Sequence, residues 1–124
     1  MSFCTVINCM DGRTQLPVNE YLRGELSVDY VDTITEAGPV RILAEEQQSN
    51  LADSILARVD ISVNKHKSKA IAVVAHYDCA GNPVEEDVQL EQLESAIEFL
   101  NDEYPDVKIF GLWVDSNWNV EKIF

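Results

Sequence analysis

Apolar residues along this chain fall into two kinds of pattern, short unbroken runs and longer stretches with helical spacing. Phe3 to Asn8 and Ala70 to Ala75 are nearly continuous, β-branched and apolar, as expected of strands buried on both faces of a parallel sheet. Val28 to Thr35 alternates roughly as a strand does and stops at the turn signal Ala37-Gly38-Pro39. Val107 to Val114 is a further apolar strand, and the turn from Asp115 to Asn119 followed by Val120 to Phe124 predicts a hairpin. Between these runs, Leu16-Pro17-Val18 with Tyr21 and Leu22 predicts a short helix, with Pro17 near its first turn and Gly24 past its end. From Val40 to about Asn64 the spacing predicts a broken helix whose second part is capped by Ser49 or Asn50 and carries Leu51, Ile55 and Val59 on one face. Asn82-Pro83-Val84-Glu85 has the form of a helix start, and Leu90, Leu93, Ile97 and Leu100 follow on one face.

Strands alternating with helices predict an α/β fold: a doubly wound, mainly parallel four-stranded sheet, helices on both faces, and an antiparallel C-terminal edge strand. At 124 residues, 46% of them hydrophobic, the chain is expected to form one domain over residues 1–124 without disulfide staples.

Charge narrows the range of partners. A formal net charge of −13 disfavours nucleic acid and anionic membranes. Every ionised residue from Glu85 to Asp106 is acidic, and the interleaved apolar residues make that run a solvated helix face. Three irregularly spaced cysteines do not form a secretory disulfide framework. With no signal-like opening and no apolar run long enough to span a bilayer, a soluble, cytoplasmic protein is expected.

The candidate chemistry sits where strands end. Cys9-Met10-Asp11-Gly12-Arg13 follows the first strand, and His76-Tyr77-Asp78-Cys79 follows the strand that starts at Ala70. Open α/β sheets place their sites at the carboxyl ends of strands. Two thiolates and an imidazole suit zinc (Zn2+), and three protein ligands leave a fourth position open, as in catalytic zinc sites. Asp11 and Arg13, two apart, can pair through the planar guanidinium, and Asp11 when released can reach the fourth position itself. Blander roles suit the neighbours. Cys4, inside a strand, reads as a small hydrophobe, and Asp78 as a turn residue. His66 reads as a surface or capping residue, Tyr77 as pocket wall or subunit contact, and Trp113 and Trp118 as packing or association residues.

Cys-x-Asp-x-Arg at Cys9, Asp11 and Arg13, together with His-x-x-Cys at His76 and Cys79, resembles the signature of the β-class carbonic anhydrases. The order of the remaining segments, through Ala37-Gly38 to the closing hairpin, is also similar to that family's, so the resemblance spans nearly the whole chain. It implies zinc held by Cys9, His76 and Cys79, catalytic roles for Asp11 and Arg13, and a substrate-binding role for Gly38. The implied reaction is reversible hydration of carbon dioxide to bicarbonate by zinc-bound hydroxide, in a homodimer. Hydrolysis of carbonyl sulfide or carbon disulfide, and a non-catalytic zinc-binding regulatory or scaffold protein, are the alternatives. Three departures are visible. Ala80 precedes Gly81 where the family has glycine directly after the cysteine, and Thr35-Glu36-Ala37-Gly38-Pro39 keeps only the middle pair of the family's segment. With its first strand at Phe3, the sequence is expected to lack the amino-terminal helices with which family members embrace a partner.

Overall fold

A computed structural model describes residues 1–124. The elements run β1 (Phe3–Cys9), α1 (Gly12–Leu26), β2 (Tyr30–Glu36), α2 (Pro39–Glu45), α3 (Asn50–Lys65), β3 (Ala70–His76), α4 (Glu86–Glu103), β4 (Lys108–Val114) and β5 (Val120–Lys122). The sheet order is β2-β1-β3-β4-β5, with four parallel strands and β5 antiparallel at the edge. This is the architecture read from the apolar runs. The chain leaves β1 towards β2 on one side and returns to β3 on the other, so the topological switch point lies between β1 and β3.

Strand periodicity sorts the core into two layers. Ile7, Ile71, Val73, Ala75 and Trp113 face α2, α3 and α4, whereas Cys4, Val6, Ala72, Val74, Phe110 and Leu112 face α1. Both sets are almost completely buried, which is why β1 and β3 are nearly continuous apolar runs that do not alternate, with only Thr5, Asn8 and His76 as buried polar residues. Helix α4 lies so close to β4 that a Cβ on Gly111 would come within 2.9 Å of Ile97 and Leu93 side-chain carbons. All nine acidic residues from Glu85 to Asp106 are solvent-exposed, as the pattern predicts.

Local signals worked unevenly. Ser49 caps α3, its Oγ accepting the Ala52 N–H at 3.2 Å, but Leu51 is exposed and Ala52 takes its place on the buried face with Ile55 and Val59. Helix α1 is longer than predicted because Asp11 caps it, accepting the Arg13 N–H at 2.9 Å. Pro17 and Gly24 both lie inside it, and Ser27, in left-handed backbone, ends it. Asn82 does not cap α4; its buried side chain donates to Gln92 at 2.7 Å, and the helix starts four residues later. No helix is long and apolar enough to cross a membrane.

Candidate metal centre

Cys9 and His76 are the last residues of β1 and β3, the two strands that flank the switch point, and Cys79 follows one turn later. All three are buried, and one ligand atom from each lies within 4.8 Å of the others. The sulfurs of Cys9 and Cys79 are 3.8 Å apart. That is far beyond the roughly 2.05 Å of a disulfide. It matches the edge of about 3.8 Å subtended by two zinc–sulfur bonds of about 2.3 Å at a tetrahedral angle.

The imidazole is oriented for the same purpose. His76 Nδ1 lies 2.7 Å from the Tyr77 carbonyl, which can only accept, so Nδ1 carries the hydrogen and Nε2 keeps its lone pair. Nε2 is buried without a hydrogen-bond partner. An orphaned buried nitrogen beside two buried sulfurs is a cost that a metal ion would remove. Gln89, itself buried, fixes the strand end behind the ring, donating to the His76 carbonyl at 2.8 Å and accepting its N–H at 3.3 Å.

Electrostatics support the donor set. The hydrogen bond from the Cys79 thiol holds Cys9 well below the ordinary thiol range, helped by His76 and by the backbone N–H groups of Gly38 and Asp11. That same neighbour first, and burial second, push Cys79 up, while the N–H groups of Gly81 and Asn82 pull it down. Two sulfurs this close share one proton readily, and a dication would displace it. Burial opposes protonation of His76, but contact with Cys9 and the Tyr77 carbonyl outweigh it, so its pKa is raised.

Asp11 and Arg13 lie beside this cluster. Arg13 Nη2 donates to Asp11 Oδ2 at 2.7 Å and Nε to both carboxylate oxygens at 3.1 and 3.3 Å, so Asp11 is paired with Arg13 and stands outside the three-ligand group. The pairing holds the Asp11 carboxyl down at about 2. Gly38 is buried at the start of α2 and packs on Gly81 and Asn82 with its N–H directed at Cys9. A cleft of about 470 Å³ opens beside Cys79, bounded by Tyr77, Asp78, Glu85, Glu86 and Trp113.

A family model described as "Putative carbonic anhydrase" matches residues 1–124, the whole chain. The chain belongs to this carbonic anhydrase family. Three solved β-carbonic anhydrases share the fold of this carbonic anhydrase-like chain. One, from a study of two tetrameric enzymes of the filamentous ascomycete Sordaria macrospora, is 11% identical with a TM-score of 0.64, over 96% of this chain and 79% of that one. CafA of the fungal pathogen Aspergillus fumigatus is 15% identical with a TM-score of 0.55, over 97% and 74%. CcaA is 15% identical with a TM-score of 0.57, over 98% and 80%. Comparison with curated proteins finds no match.

Sequence reasoning located the three candidate ligands and the Asp11–Arg13 pair but missed what supports them. Gln89 left a trace, since two glutamines, Gln89 and Gln92, occupy the buried stripe of α4, where an unpaired amide would be costly. Trp118 left none: the contact that places its ring on Arg13, 4.4 Å from guanidinium carbon to ring centroid, crosses from the closing hairpin to α1.

Proposed function

We propose that Cys9, His76 and Cys79 hold a zinc ion and that the protein catalyses the reversible hydration of carbon dioxide to bicarbonate. The observation that carries this is the buried convergence of two sulfurs and an otherwise unpartnered imidazole nitrogen at the switch point of the sheet. Bound zinc supplies Lewis-acid chemistry, lowering the pKa of a coordinated water towards neutrality.

The chain's own residues do the rest. Arg13 keeps Asp11 ionised at neutral pH, so Asp11 acts only as a hydrogen-bond acceptor and orients the attacking water. Backbone N–H groups of Gly38, Asp11, Gly81 and Asn82 share the charge of the two sulfurs, which keeps them from quenching the metal's acidity fully. The rim of the adjacent cleft carries Asp78, Glu85 and Glu86. Such a rim admits a neutral molecule and disfavours retention of an anion, which suits carbon dioxide as substrate and bicarbonate as product. Self-association into a homodimer belongs to the same reading and is supported by the tetrameric ascomycete enzyme.

Elemental analysis with stopped-flow hydration tests the proposal. The purified protein is expected to carry one zinc per chain and to hydrate carbon dioxide. Cys9→Ser and His76→Ala are expected to lose the metal, and Asp11→Ala to retain zinc while losing most turnover. Unchanged zinc in both ligand variants would dismiss the ligand set. Full zinc without turnover of carbon dioxide or carbonyl sulfide would leave a non-catalytic metal protein.

A further inference from the structure

Arg13 is held from three directions, of which Asp11 is only one. Its guanidinium lies over the Trp118 ring, Nη1 donates to Asp78 Oδ2 at 3.3 Å, and Nη2 donates to the Asp78 carbonyl at 3.1 Å. Both residues that make these additional contacts adopt left-handed backbone, Asp78 at φ 56 and Trp118 at φ 64. Aspartate tolerates that region because its short side chain bonds locally, but a bulky aromatic there is an outlier.

The turn is built to enforce it. Trp118 N–H donates to the Asp115 carbonyl at 2.9 Å, and the Asp115 carboxylate accepts from the Asn117 and Asn119 N–H groups at 2.9 and 3.0 Å. Glycine or asparagine would satisfy the backbone at position 118 more easily, so tryptophan must be justified by what its ring touches. It packs against the apolar layer that faces α1, but its outer contact is with Arg13, and it also approaches the rings of His76 and Tyr77, with centroids 6.4 and 6.5 Å away.

An ion pair with an exposed partner contributes little by itself, and the Arg13 side chain is 46% exposed. Most of the opposition to a short Asp–Arg pair is the entropy of fixing a long side chain. Stacking on Trp118 and bonding to Asp78 fix that side chain in advance. We propose that Trp118 and Asp78 are positioning residues that clamp Arg13 and so hold Asp11 off the fourth position of the candidate metal centre, keeping that position exchangeable. The inference rests on the metal reading of Cys9, His76 and Cys79.

Cobalt(II)-substituted protein titrated with thiocyanate reads the exchangeable position directly through visible absorption. Trp118→Ala is expected to raise the apparent thiocyanate Kd measurably, by at most about two- to five-fold, the factor carried by an exposed cation–π contact. Trp118→Asn, whose residue type suits left-handed backbone, is expected to give the same rise without disturbing the turn. Adding Asp11→Ser, which keeps a capping oxygen and removes the competing carboxylate, brings the Kd back to the wild-type value or below it. An unchanged Kd in the folded Trp118→Asn protein, or a rise that persists without Asp11, overturns the clamp. Wild-type protein that takes up no cobalt overturns the metal reading and the clamp together. Normal cobalt and thiocyanate binding that ignores Trp118 overturns the clamp alone.

Discussion

Gly38 links backbone geometry to the chemistry of the site. It sits at φ 62, where an L side chain is strained, and an added Cβ would lie 2.7 Å from Asn82 Cβ and 2.8 Å from the Gly81 carbonyl oxygen. Gly81 returns the contact, since a Cβ there would lie 2.7 Å from the Ala37 carbonyl carbon. The two glycines let the loops after β2 and β3 close on each other, and the closure aims the Gly38 and Gly81 N–H groups at the two sulfurs. Gly38→Ala is therefore expected to destabilise the fold by about 2 kcal/mol or more, combining left-handed strain with a backbone clash. Gly12→Ala, with no atom within 4 Å of the added Cβ, is expected to be neutral or slightly stabilising. Urea denaturation of both checks the claim, and equal midpoints would remove the close approach from the account. At this scale the sequence displayed the candidate ligands because thiols and an imidazole at strand ends have few other uses. It showed only the presence of Gln89 on the buried stripe of α4 and nothing of Trp118; both roles depend on contacts made only after α4 and the hairpin have packed.

Elements bridged by one titratable hydroxyl offer a sharper test than elements joined by area alone. Tyr104 ends α4, and its hydroxyl donates to the Leu56 carbonyl at 3.2 Å and to the Asp60 carboxylate, both on α3. Burial, then the bond to Asp60, push its pKa above the ordinary phenol value of 10.0. The raised value makes the contribution complete below the unfolded pKa and lost as pH climbs beyond it, because the unfolded chain releases the proton first. Wild-type protein is thus expected to lose stability steeply above about pH 10, and Tyr104→Phe to be less stable at neutral pH yet to show a shallower alkaline limb. Thermal melts at neutral and alkaline pH decide it; parallel limbs would mean that Tyr104 titrates as it does unfolded. The helices show why element boundaries were only partly legible. Ser49 caps α3 as its local sequence predicts, its hydroxyl accepting from the Ala52 N–H while donating to the Glu46 carbonyl at 2.6 Å, two roles that do not compete. Asn82 fails as a cap because its side chain is turned into the core, where Nδ2 donates to Gln92 and Oδ1 has no partner, and because α4 starts only at Glu86; α1 begins early because Asp11 serves both the cap and Arg13.

For the molecule as a whole, a mainly parallel sheet with an antiparallel edge was legible in two nearly continuous apolar runs and a closing hairpin, whereas the strand order emerges only in the fold and the surface charge bears on stability separately. The chain carries 22 acidic and 9 basic residues, and α4 presents Glu94, Glu98 and Asp102 at successive four-residue intervals on an exposed face. Like charges at this spacing repel by about 0.2–0.5 kcal/mol per pair, and opposite charges attract by similar amounts, with glutamate preceding lysine the better orientation. Glu98→Lys converts two repulsive pairs into attractive ones without touching the face that packs on β4, where Leu93 and Ile97 lie. It is expected to stabilise the protein by roughly 1 kcal/mol at low ionic strength. The gain should fade in about 1 M salt, where charges interact only over about 3 Å. Wild-type protein should gain stability over the same salt range, because screening relieves its excess of negative charge. Calorimetric melts of both proteins at the two ionic strengths provide the check. A Glu98→Lys gain that survives high salt would trace to helix propensity or packing, and the acidic face would then carry no repulsion for salt to screen.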